Sequence, residues 1–278
     1  MGGVLHLVGT PIGNLGDMSE RAREVLASVD LVAAEDTRRT GLLLQRFGLR
    51  ARTTSFFEGN ERERTQELLQ MLRDGLEVAV VSDAGMPGIS DPGYRLVRAC
   101  ADEGIDVRVV PGPSAVIAAL VVSGLPTDRF SFEGFLPRKH QERVRRLTEL
   151  AQDRRTLVCF ESPRRVVTAL RDAVEVFGDR RMALVRELTK LHEEVLRGTI
   201  SEVLERLSDR ELKGELVVVF EGASPQELPD VSSLVEQAGA LIANGTRRRA
   251  AAQEVARAHG VSANDLYRAL LSADETEG

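Results

Sequence analysis

The chain has 278 residues, 42% of them hydrophobic and 29% charged, with a formal net charge of -6, which suffices for two domains with buried cores. This charge excludes a protein coated in positive charge, and no apolar run approaches the roughly 20 residues of a membrane span. No secretory pattern opens the chain and its few cysteines and histidines lack zinc-type spacing, so we expect a cytoplasmic protein without membrane or metal.

The first half of the chain alternates predicted strands and helices. Strands are predicted over 5–8, 31–34, 78–81 and 107–110. Helices are predicted to start at Ser19, Thr40, Asn60, Asp91 and Ser114. Asn60 and Glu63 resemble a capping box at the start of the third of these helices. The fourth helix has Pro92 in its first turn, where a proline is tolerated. Repeated strand–helix units with β-branched strands predict a mostly parallel sheet, covered on both faces.

A second α/β unit is predicted after the boundary at Ser123-Gly124-Leu125-Pro126. Its strands are predicted over 156–160, 182–186, 193–197 and 215–220, and its helices over 141–152, 165–177 and 201–207. Short turns between consecutive strands favour antiparallel pairing, so this sheet is predicted to be mixed.

The last part of the chain is predicted to be helical. Residues 222–229 resemble a linker, and helices are predicted over 233–243, 246–259 and 262–271. The turn Gly260-Val261-Ser262 between two short helices resembles a helix-turn-helix, although a small three-helix interaction module is the simpler explanation of this pattern. The predicted domains are 1–122, 123–223 and 230–272.

Three glycine-proline turns each follow an apolar run in the first half. They are Gly9-Thr10-Pro11-Ile12-Gly13-Asn14, Ser82-Asp83-Ala84-Gly85-Met86-Pro87-Gly88 and Pro111-Gly112-Pro113-Ser114-Ala115. Loops at the carboxyl ends of strands converge on one crevice in open α/β sheets. Glycine lets the main chain approach a ligand and proline stiffens the loop, so the turns predict a small-molecule site.

Several common nucleotide-binding loops are absent from the sequence. No two glycines stand at i and i+2, and no glycine precedes a lysine. This excludes the G-x-G-x-x-G fingerprint, the glycine loop of the commonest methyltransferase fold and the P-loop. A G-x-S-x-G elbow is also absent, so nothing supports a hydrolase.

An ordered set of motifs carries a family resemblance. Three of these motifs are the glycine-proline turns, the first two of them extended to residues 7–17 and 82–93. The other three are Ala34-Glu35-Asp36-Thr37-Arg38, Gly134-Phe135-Leu136-Pro137-Arg138-Lys139 and Glu161-Ser162-Pro163-Arg164-Arg165. Together they resemble the bacterial RsmI family, ribosomal RNA small subunit (16S) cytidine-2′-O-methyltransferases of the tetrapyrrole-methylase-like, class III, superfamily. The similarity runs from about residue 4 to residue 221, and the terminal helices resemble the family's extension.

The resemblance implies two α/β domains of the tetrapyrrole-methylase type, S-adenosyl-L-methionine in the cleft between them, a small carboxyl-terminal helical module and a homodimer. The implied cofactor contacts are Pro11, Ile12, Asp83, Ala84, Gly85, Met86, Ser114, Ala115, Phe160, Leu184, Lys213 and Gly214. One departure is the segment Ser55-Phe56-Phe57-Glu58-Gly59-Asn60-Glu61, which replaces a stretch that is usually histidine-rich in relatives.

Methyl transfer from a sulfonium depends mainly on positioning the acceptor oxygen and the methyl carbon. A ribose 2′-hydroxyl also benefits from a group that takes its proton. The candidate catalytic residues near predicted strand ends are Asp36, Glu161, Glu187 and Lys190. The last two are equally explained as a surface ion pair.

RNA binding requires contacts between basic side chains and phosphates, and basic residues are concentrated in one part of the sequence. Residues 129–171 hold eleven basic and five acidic residues in a chain of negative net charge, as in an electrostatic footprint for nucleic acid. A solvated helix face with i,i+4 pairs explains part of this window, and Arg247-Arg248-Arg249 adds a second patch. The candidate substrate-binding residues are Arg38, Arg138, Lys139, Arg164 and Arg165.

Three functions remain open at this point. The first is methylation of a cytidine 2′-hydroxyl in 16S ribosomal RNA, free or in the small subunit. The second is a corrinoid- or sirohaem-pathway C-methyltransferase of the same superfamily, and the third is a non-catalytic RNA-binding module. The basic window and the terminal helices favour the first.

Overall fold

The computed structural model describes residues 2–208, 210–224, 231–259 and 261–277. The chain forms two compact units, residues 1–223 and 224–278. Two five-stranded sheets lie in the first unit, and three helices form the second. This architecture confirms the predicted fold class, whereas the domain boundary at 122/123 stays a prediction.

The first sheet has the strand order β3-β2-β4-β1-β5, and all its pairs are parallel. Its strands are β1 Val4–Val8, β2 Leu31–Ala34, β3 Thr53–Ser55, β4 Val78–Val81 and β5 Asp106–Val110. The helices of this half are α1 Glu20–Ser28, α2 Thr37–Arg46, α3 Glu61–Arg73, α4 Tyr94–Asp102 and α5 Ala115–Ser123. The mostly parallel sheet predicted from the repeated units is therefore confirmed.

Helices cover both faces of this sheet because its interior strands β2 and β4 are apolar at every position and β1 is apolar except at His6. Residues Leu5, Val78 and Val80 pack against α3 and α4 on one face. Residues Val32 and Val81 pack against α1 and α2 on the other. Both sets are buried, as expected for strands of a parallel sheet that is covered on both sides.

The second sheet has the order β6-β7-β10-β8-β9 and is mixed, as predicted. Strands β6 and β7 are parallel, and the other pairs are antiparallel. Its strands are β6 Phe130–Phe135, β7 Thr156–Glu161, β8 Arg181–Arg186, β9 Glu194–Thr199 and β10 Leu216–Phe220. Helices α6 His140–Leu150, α7 Val166–Phe177 and α8 Ile200–Leu207 cover one face, and α5 from the first half covers the other.

Helix α5 joins the two halves because it is apolar around its whole circumference. Its residues Val116, Ala119 and Leu120 pack against Val158 and Val217 of the second sheet. A helix that is hydrophobic all round is stable only when it is covered on most sides. The second sheet covers the face that holds Val116, Ala119 and Leu120 and is thereby fixed beside the first, whereas Ile117 and Val121 on the other face are exposed.

Two strands, one helix cap and two helix starts differ from the sequence prediction, and one of these starts is that of α2, which begins at Thr37 instead of Thr40. Strands β3 and β6 were not predicted, because β3 has three residues and β6 includes Gly134. The capping box at Asn60 is wrong: its side chain contacts the Phe57 amide and Ser55 instead of its own helix. The helix predicted to start at Asp91 begins at Tyr94.

The terminal unit consists of α9 Val231–Ala243, α10 Arg248–His259 and α11 Ala263–Glu277. Its core includes Leu234, Val255 and Leu266, so the three predicted helices are confirmed as a packed unit. The linker predicted over 222–229 lies largely outside the described residues, as does the turn residue Gly260. Within the described ranges, every helix is too short or too polar to cross a membrane.

Candidate functional site

The three glycine-proline turns meet at one edge of the first sheet, because they follow the adjacent strands β4, β1 and β5. Thr10 and Gly85 exchange two backbone hydrogen bonds of 2.9 and 3.1 Å across the first two turns. Gly9 donates from its amide to the carbonyl of Val110, at 3.0 Å, which ties the first turn to the third. The turns therefore form one connected wall.

Two glycines allow this close approach. A Cβ at Gly9 would lie 2.7 Å from the Cα of Gly112 and 2.7 Å from the Sδ of Met86. A Cβ at Gly112 would lie 2.8 Å from the Cα of Gly9. Neither distance is compatible with a side chain unless a backbone moves, so the wall requires glycine at both positions.

Two adjoining cavities lie between this wall and the second sheet, with volumes of about 380 and 330 Å³. They share Ile12, Ala84 and Glu215. The larger cavity is also lined by Thr10, Pro11, Gly13, Leu15, Arg39, Thr40, Leu42, Leu43, Arg46, Ser82, Asp83 and Lys190. The smaller cavity is also lined by Ser90, Asp91, Ala115, Phe135, Phe160, Glu161, Ser162, Pro163, Val185, Leu188, Gly214, Leu216 and Val217.

Most of the predicted cofactor residues lie on these cavities. Seven of the twelve line one or both of them, and these are Pro11, Ile12, Asp83, Ala84, Ala115, Phe160 and Gly214. Gly85 and Met86 belong to the second turn, and Ser114 caps α5 by accepting a hydrogen bond from the Ile117 amide. The predicted set therefore gathers at the cleft, although the contacts themselves stay a prediction.

Two members of that set point elsewhere. The Leu184 side chain packs in the core on the opposite face of the second sheet, and its neighbour Val185 lines the smaller cavity. The Lys213 side chain is exposed and lies 3.7 Å from a carboxylate oxygen of Glu211. Alternation along β8 explains the first case, since successive side chains of a strand face opposite sides.

The loop between β8 and β9 packs against the first turn. The Asn14 amide donates a hydrogen bond of 3.1 Å to the hydroxyl of Thr189. Glu187 and Thr189 have φ angles of 52° and 63°, a region that non-glycine residues rarely occupy. Backbone strain of this kind concentrates at functional sites, where surrounding contacts maintain it.

Glu187 and Lys190, two of the candidate catalytic residues, form an ion pair of 2.8 Å. The Lys190 bond lowers the pKa of the Glu187 carboxyl despite partial burial. Burial alone would lower the pKa of the Lys190 ammonium, but its bonds to Glu187 and Glu215 outweigh burial and raise that pKa. Both groups are held charged, which makes Glu187 a weak base and Lys190 no base at all.

Asp36, the third candidate, caps α2 and is also a weak base. Its carboxylate accepts hydrogen bonds from the Arg38 guanidinium and amide, and these hold its pKa well below the usual range. Asp83 lies beside it, where it accepts from the Asp36 amide at 3.1 Å and pairs with Arg39 at 2.8 Å.

Glu161, the fourth candidate, ends β7 and lines the smaller cavity. Its side chain is fully buried, and its Oε1 pairs with the Arg165 guanidinium at 2.5 Å and accepts from the Ser162 amide at 2.7 Å. Among the described residues, its Oε2 has no hydrogen-bond partner. A buried carboxylate oxygen without a partner is costly, so this atom is the exceptional polar group of the cleft.

Asp91 is a cavity residue that the sequence reasoning missed, because it was assigned to a helix start. The turn before it contains Ser90 at a φ of 61°. Burial, followed by the nearby Glu35 carboxylate, raises the pKa of Asp91 from 3.8 to about 6. Its place in the Ser82–Gly93 motif was the signal available in the sequence.

Across the described part of the chain, no cluster of side chains has the composition of a metal site.

The five candidate substrate-binding residues divide into two groups. Arg38, Arg138, Lys139 and Arg164 are exposed. Arg138 and Lys139 precede α6 and Arg164 precedes α7, directly after strands whose carboxyl ends line the smaller cavity. Arg165 differs, because it is half-buried and its guanidinium is engaged by Glu161.

The basic window is partly neutralised within the protein. Arg143 is buried and pairs with Asp172 at 2.6 Å, while Arg146 pairs with Glu133 and Glu149. Of the eleven basic residues, those that are exposed and form no ion pair with any described residue are Arg129, Arg138, Arg145, Arg154, Arg164 and Arg171. The structure thus leaves about half of the window available to a polyanion.

The fold and the cleft define a protein of the tetrapyrrole methylase class. Residues 4–204 match the sequence profile of the Tetrapyrrole (Corrin/Porphyrin) Methylases. A solved structure of this architecture is uroporphyrin-III C-methyl transferase from Thermus thermophilus complexed with S-adenyl homocysteine. It is similar to this chain with a TM-score of 0.54 and 21% identity, covering 79% of this chain and 97% of that chain.

Much more similar sequences identify the family within that class. The ribosomal RNA small subunit methyltransferase I of Synechocystis is 45% identical over 98% of this chain and 99% of its own length. The protein of the same name from Mycobacterium tuberculosis is 49% identical over 99% of this chain and 97% of its own. The chain therefore belongs to the ribosomal RNA small subunit methyltransferase I family, which confirms the resemblance noted from the motifs.

Proposed function

We propose that this protein transfers a methyl group from S-adenosyl-L-methionine to the ribose 2′-hydroxyl of a cytidine in 16S ribosomal RNA. The observation that carries the proposal is the cleft cavity of about 330 Å³ in a chain that is 45–49% identical to named ribosomal RNA methyltransferases. The solved relative complexed with S-adenyl homocysteine supports the choice of methyl donor.

The cleft residues fit such a donor. Ile12, Ala84 and Phe160 give the smaller cavity apolar walls. Gly214, at the same cavity, makes room for the Glu187 side chain, whose carboxylate would lie 2.3 Å from a Cβ at that position. Bound S-adenosyl-L-methionine supplies an electrophilic methyl group on a sulfonium.

The chain's own residues then orient the two reactants. The connected turns hold the wall rigid, which favours an aligned displacement. Asp91 is the cavity carboxyl whose pKa, at about 6, is suited to accepting a proton near neutrality. The exposed arginines beside α6 and α7 contribute phosphate contacts, as on other RNA-binding surfaces. A homodimer that acts in the cytoplasm, on free RNA or on the small subunit, belongs to the same proposal.

The test is methyl transfer with the purified protein. We expect labelled methyl groups from S-adenosyl-L-methionine to enter unmodified 16S RNA or small subunits. Labelling of uroporphyrinogen or a corrinoid instead of RNA would favour the C-methyltransferase alternative. Binding of the donor without transfer to either acceptor would favour a non-catalytic RNA-binding protein.

A further inference from the structure

One face of helix α2 lines the larger cavity of the cleft. The residues of this cleft face are Arg39, Leu42, Leu43 and Arg46, whose spacing of three and four residues places them on one side of an α-helix. Leu42 is 64% exposed although it is a large apolar residue. The cleft face of α2 therefore combines an exposed leucine with an arginine on either side of it along the helix.

The two cavities differ in the charge of their walls. The larger cavity is lined by three basic and two acidic residues, which are Arg39, Arg46, Lys190, Asp83 and Glu215. Among the described residues that line the smaller cavity none is basic and three are acidic, namely Asp91, Glu161 and Glu215. A sulfonium is a cation and RNA is a polyanion, so the smaller cavity suits the methyl donor and the larger cavity suits RNA.

Arg46 is the basic residue of the larger cavity whose charge is not compensated within the described part of the chain. Arg39 pairs with Asp83 at 2.8 Å, and Lys190 pairs with both Glu187 and Glu215, at 2.8 and 3.0 Å. Arg46 is exposed and forms no ion pair with any described residue. An unpaired guanidinium can donate two parallel hydrogen bonds to a phosphate.

We propose that the larger cavity, along the cleft face of α2, is the acceptor subsite, in which Arg46 binds a phosphate of the RNA and Leu42 packs against the target nucleotide. The two cavities share Ile12, Ala84 and Glu215, so a nucleotide in one lies beside a donor in the other, as a direct transfer requires. The volume of about 380 Å³ is within the range of ligand sites. The subsite rests on the proposed function, because it is the place of that function's acceptor.

The substitution Arg46→Gln tests the phosphate contact. Glutamine keeps a long polar side chain and a high helix propensity, and it removes only the charge. We expect the Kd for unmodified 16S RNA to rise about tenfold, as for the loss of one charge-assisted hydrogen bond. The dependence of log Kd on log salt should become shallower by about one. Calorimetry should find the affinity for S-adenosylhomocysteine within twofold of the unaltered protein, which also shows that the variant is folded.

Arg50→Gln is the matched control. Both arginines belong to residues 37–57, which contain five arginines and no acidic residue, so a diffuse positive surface is the competing explanation. Arg50 is exposed and forms no ion pair with any described residue, but it lines a separate groove with Gln45 and neither of the two cavities. Its substitution should leave the Kd for RNA within twofold. Equal losses from both variants, or no loss from Arg46→Gln, would overturn the subsite.

Cross-linking locates the RNA without relying on an affinity. Cys100 and Cys159 are buried, so a thiol-directed photo-cross-linker attaches selectively to an introduced exposed cysteine. Leu42→Cys places the cross-linker on the cleft face of α2, and Gln45→Cys places it at an exposed position of the same helix that lines the separate groove. We expect a cross-link from position 42 to the target cytidine or its neighbours, with a yield at least fivefold above that from position 45. Equal yields, or no cross-link from position 42, would contradict the proposal.

These measurements separate the subsite from the proposed function, because neither binding nor cross-linking requires methyl transfer. An unaltered protein that cross-links from position 42 but methylates no RNA would refute the proposed function and retain the RNA subsite. Methyl transfer to RNA with an unchanged KM in Arg46→Gln would retain the function and overturn the subsite.

Discussion

The substitution Asp91→Asn tests the electrostatics of the cleft through stability. Asp91 lines the smaller cavity, where Glu35 and Asp83 oppose its ionisation and a hydrogen bond from Ser82 favours it. Its pKa is about 6 in the folded protein against 3.8 ordinarily. The folded state therefore binds this proton more tightly than the unfolded state, and stability falls as pH rises from about 4 to about 6.

The magnitude follows from the difference between the two pKa values. About two pKa units correspond to roughly 3 kcal/mol for a group fully removed from solvent. Because Asp91 is half-buried and solvent screens its charge, we expect roughly 1 kcal/mol. Asparagine has nearly the same shape and no charge, so Asp91→Asn should be more stable than the unaltered protein by about that amount at pH 7.5.

Urea unfolding of both proteins at pH 3.5 and pH 7.5 measures this effect. The advantage of Asp91→Asn should be present at pH 7.5 and nearly absent at pH 3.5, where the carboxyl is mostly protonated in both states. An advantage that is equal at the two pH values would show that charge is not its cause. If Asp91→Asn were less stable than the unaltered protein at pH 7.5, Asp91 would not be a carboxylate whose ionisation destabilises the folded state.

Two further predictions concern the turns and the RNA surface. Gly9→Ala places a Cβ 2.7 Å from the Gly112 Cα and should lower the free energy of unfolding, measured in urea, by about 1–3 kcal/mol. Gly41→Ala is the control, because a Cβ there has no atom within 4 Å, and it should be neutral or stabilising. Equal effects of the two substitutions would contradict the close approach of the turns. Arg164→Glu should weaken RNA binding, with a salt slope shallower by about one, and leave S-adenosylhomocysteine binding unchanged. Arg21→Glu, at an exposed position of α1 outside the basic window, should do neither, and equal losses from both would argue against a local RNA surface at the cleft.

The elements that sequence reasoning located best are those whose own residues determine them. Strand β2 was predicted at its observed bounds because an apolar run ends at polar residues on both sides. Helix α1 starts where Ser19 caps it, its hydroxyl accepting a hydrogen bond from the Ala22 amide at 3.1 Å. In such cases the local chemistry and the tertiary structure agree.

The errors arise where a distant residue determines the local structure. Helix α4 begins at Tyr94 because Gly93 adopts a φ of 140° and its amide donates to the Glu61 carboxylate of α3. Strand β6 has Glu133 and Gly134 in its sequence and is held by pairing with β7. Neither interaction leaves a signal within the segment concerned.

The site was predicted unevenly for the same reason. The turns were recognisable, since glycine and proline report directly on backbone shape. The protonation behaviour of Asp36, Glu187 and Asp91 depends on partners such as Arg38, Lys190 and Glu35, which the fold brings close. Sequence therefore indicates which carboxylates are near strand ends, but their pKa values follow from the assembled cleft.

The central claim is that the cleft methylates a ribose hydroxyl of ribosomal RNA. The most direct test digests 16S RNA from cells with and without this protein to nucleosides and compares them by mass spectrometry. The account predicts one 2′-O-methylcytidine that disappears without the protein and returns when the purified protein and S-adenosyl-L-methionine are added. An unchanged set of methylated nucleosides would contradict it.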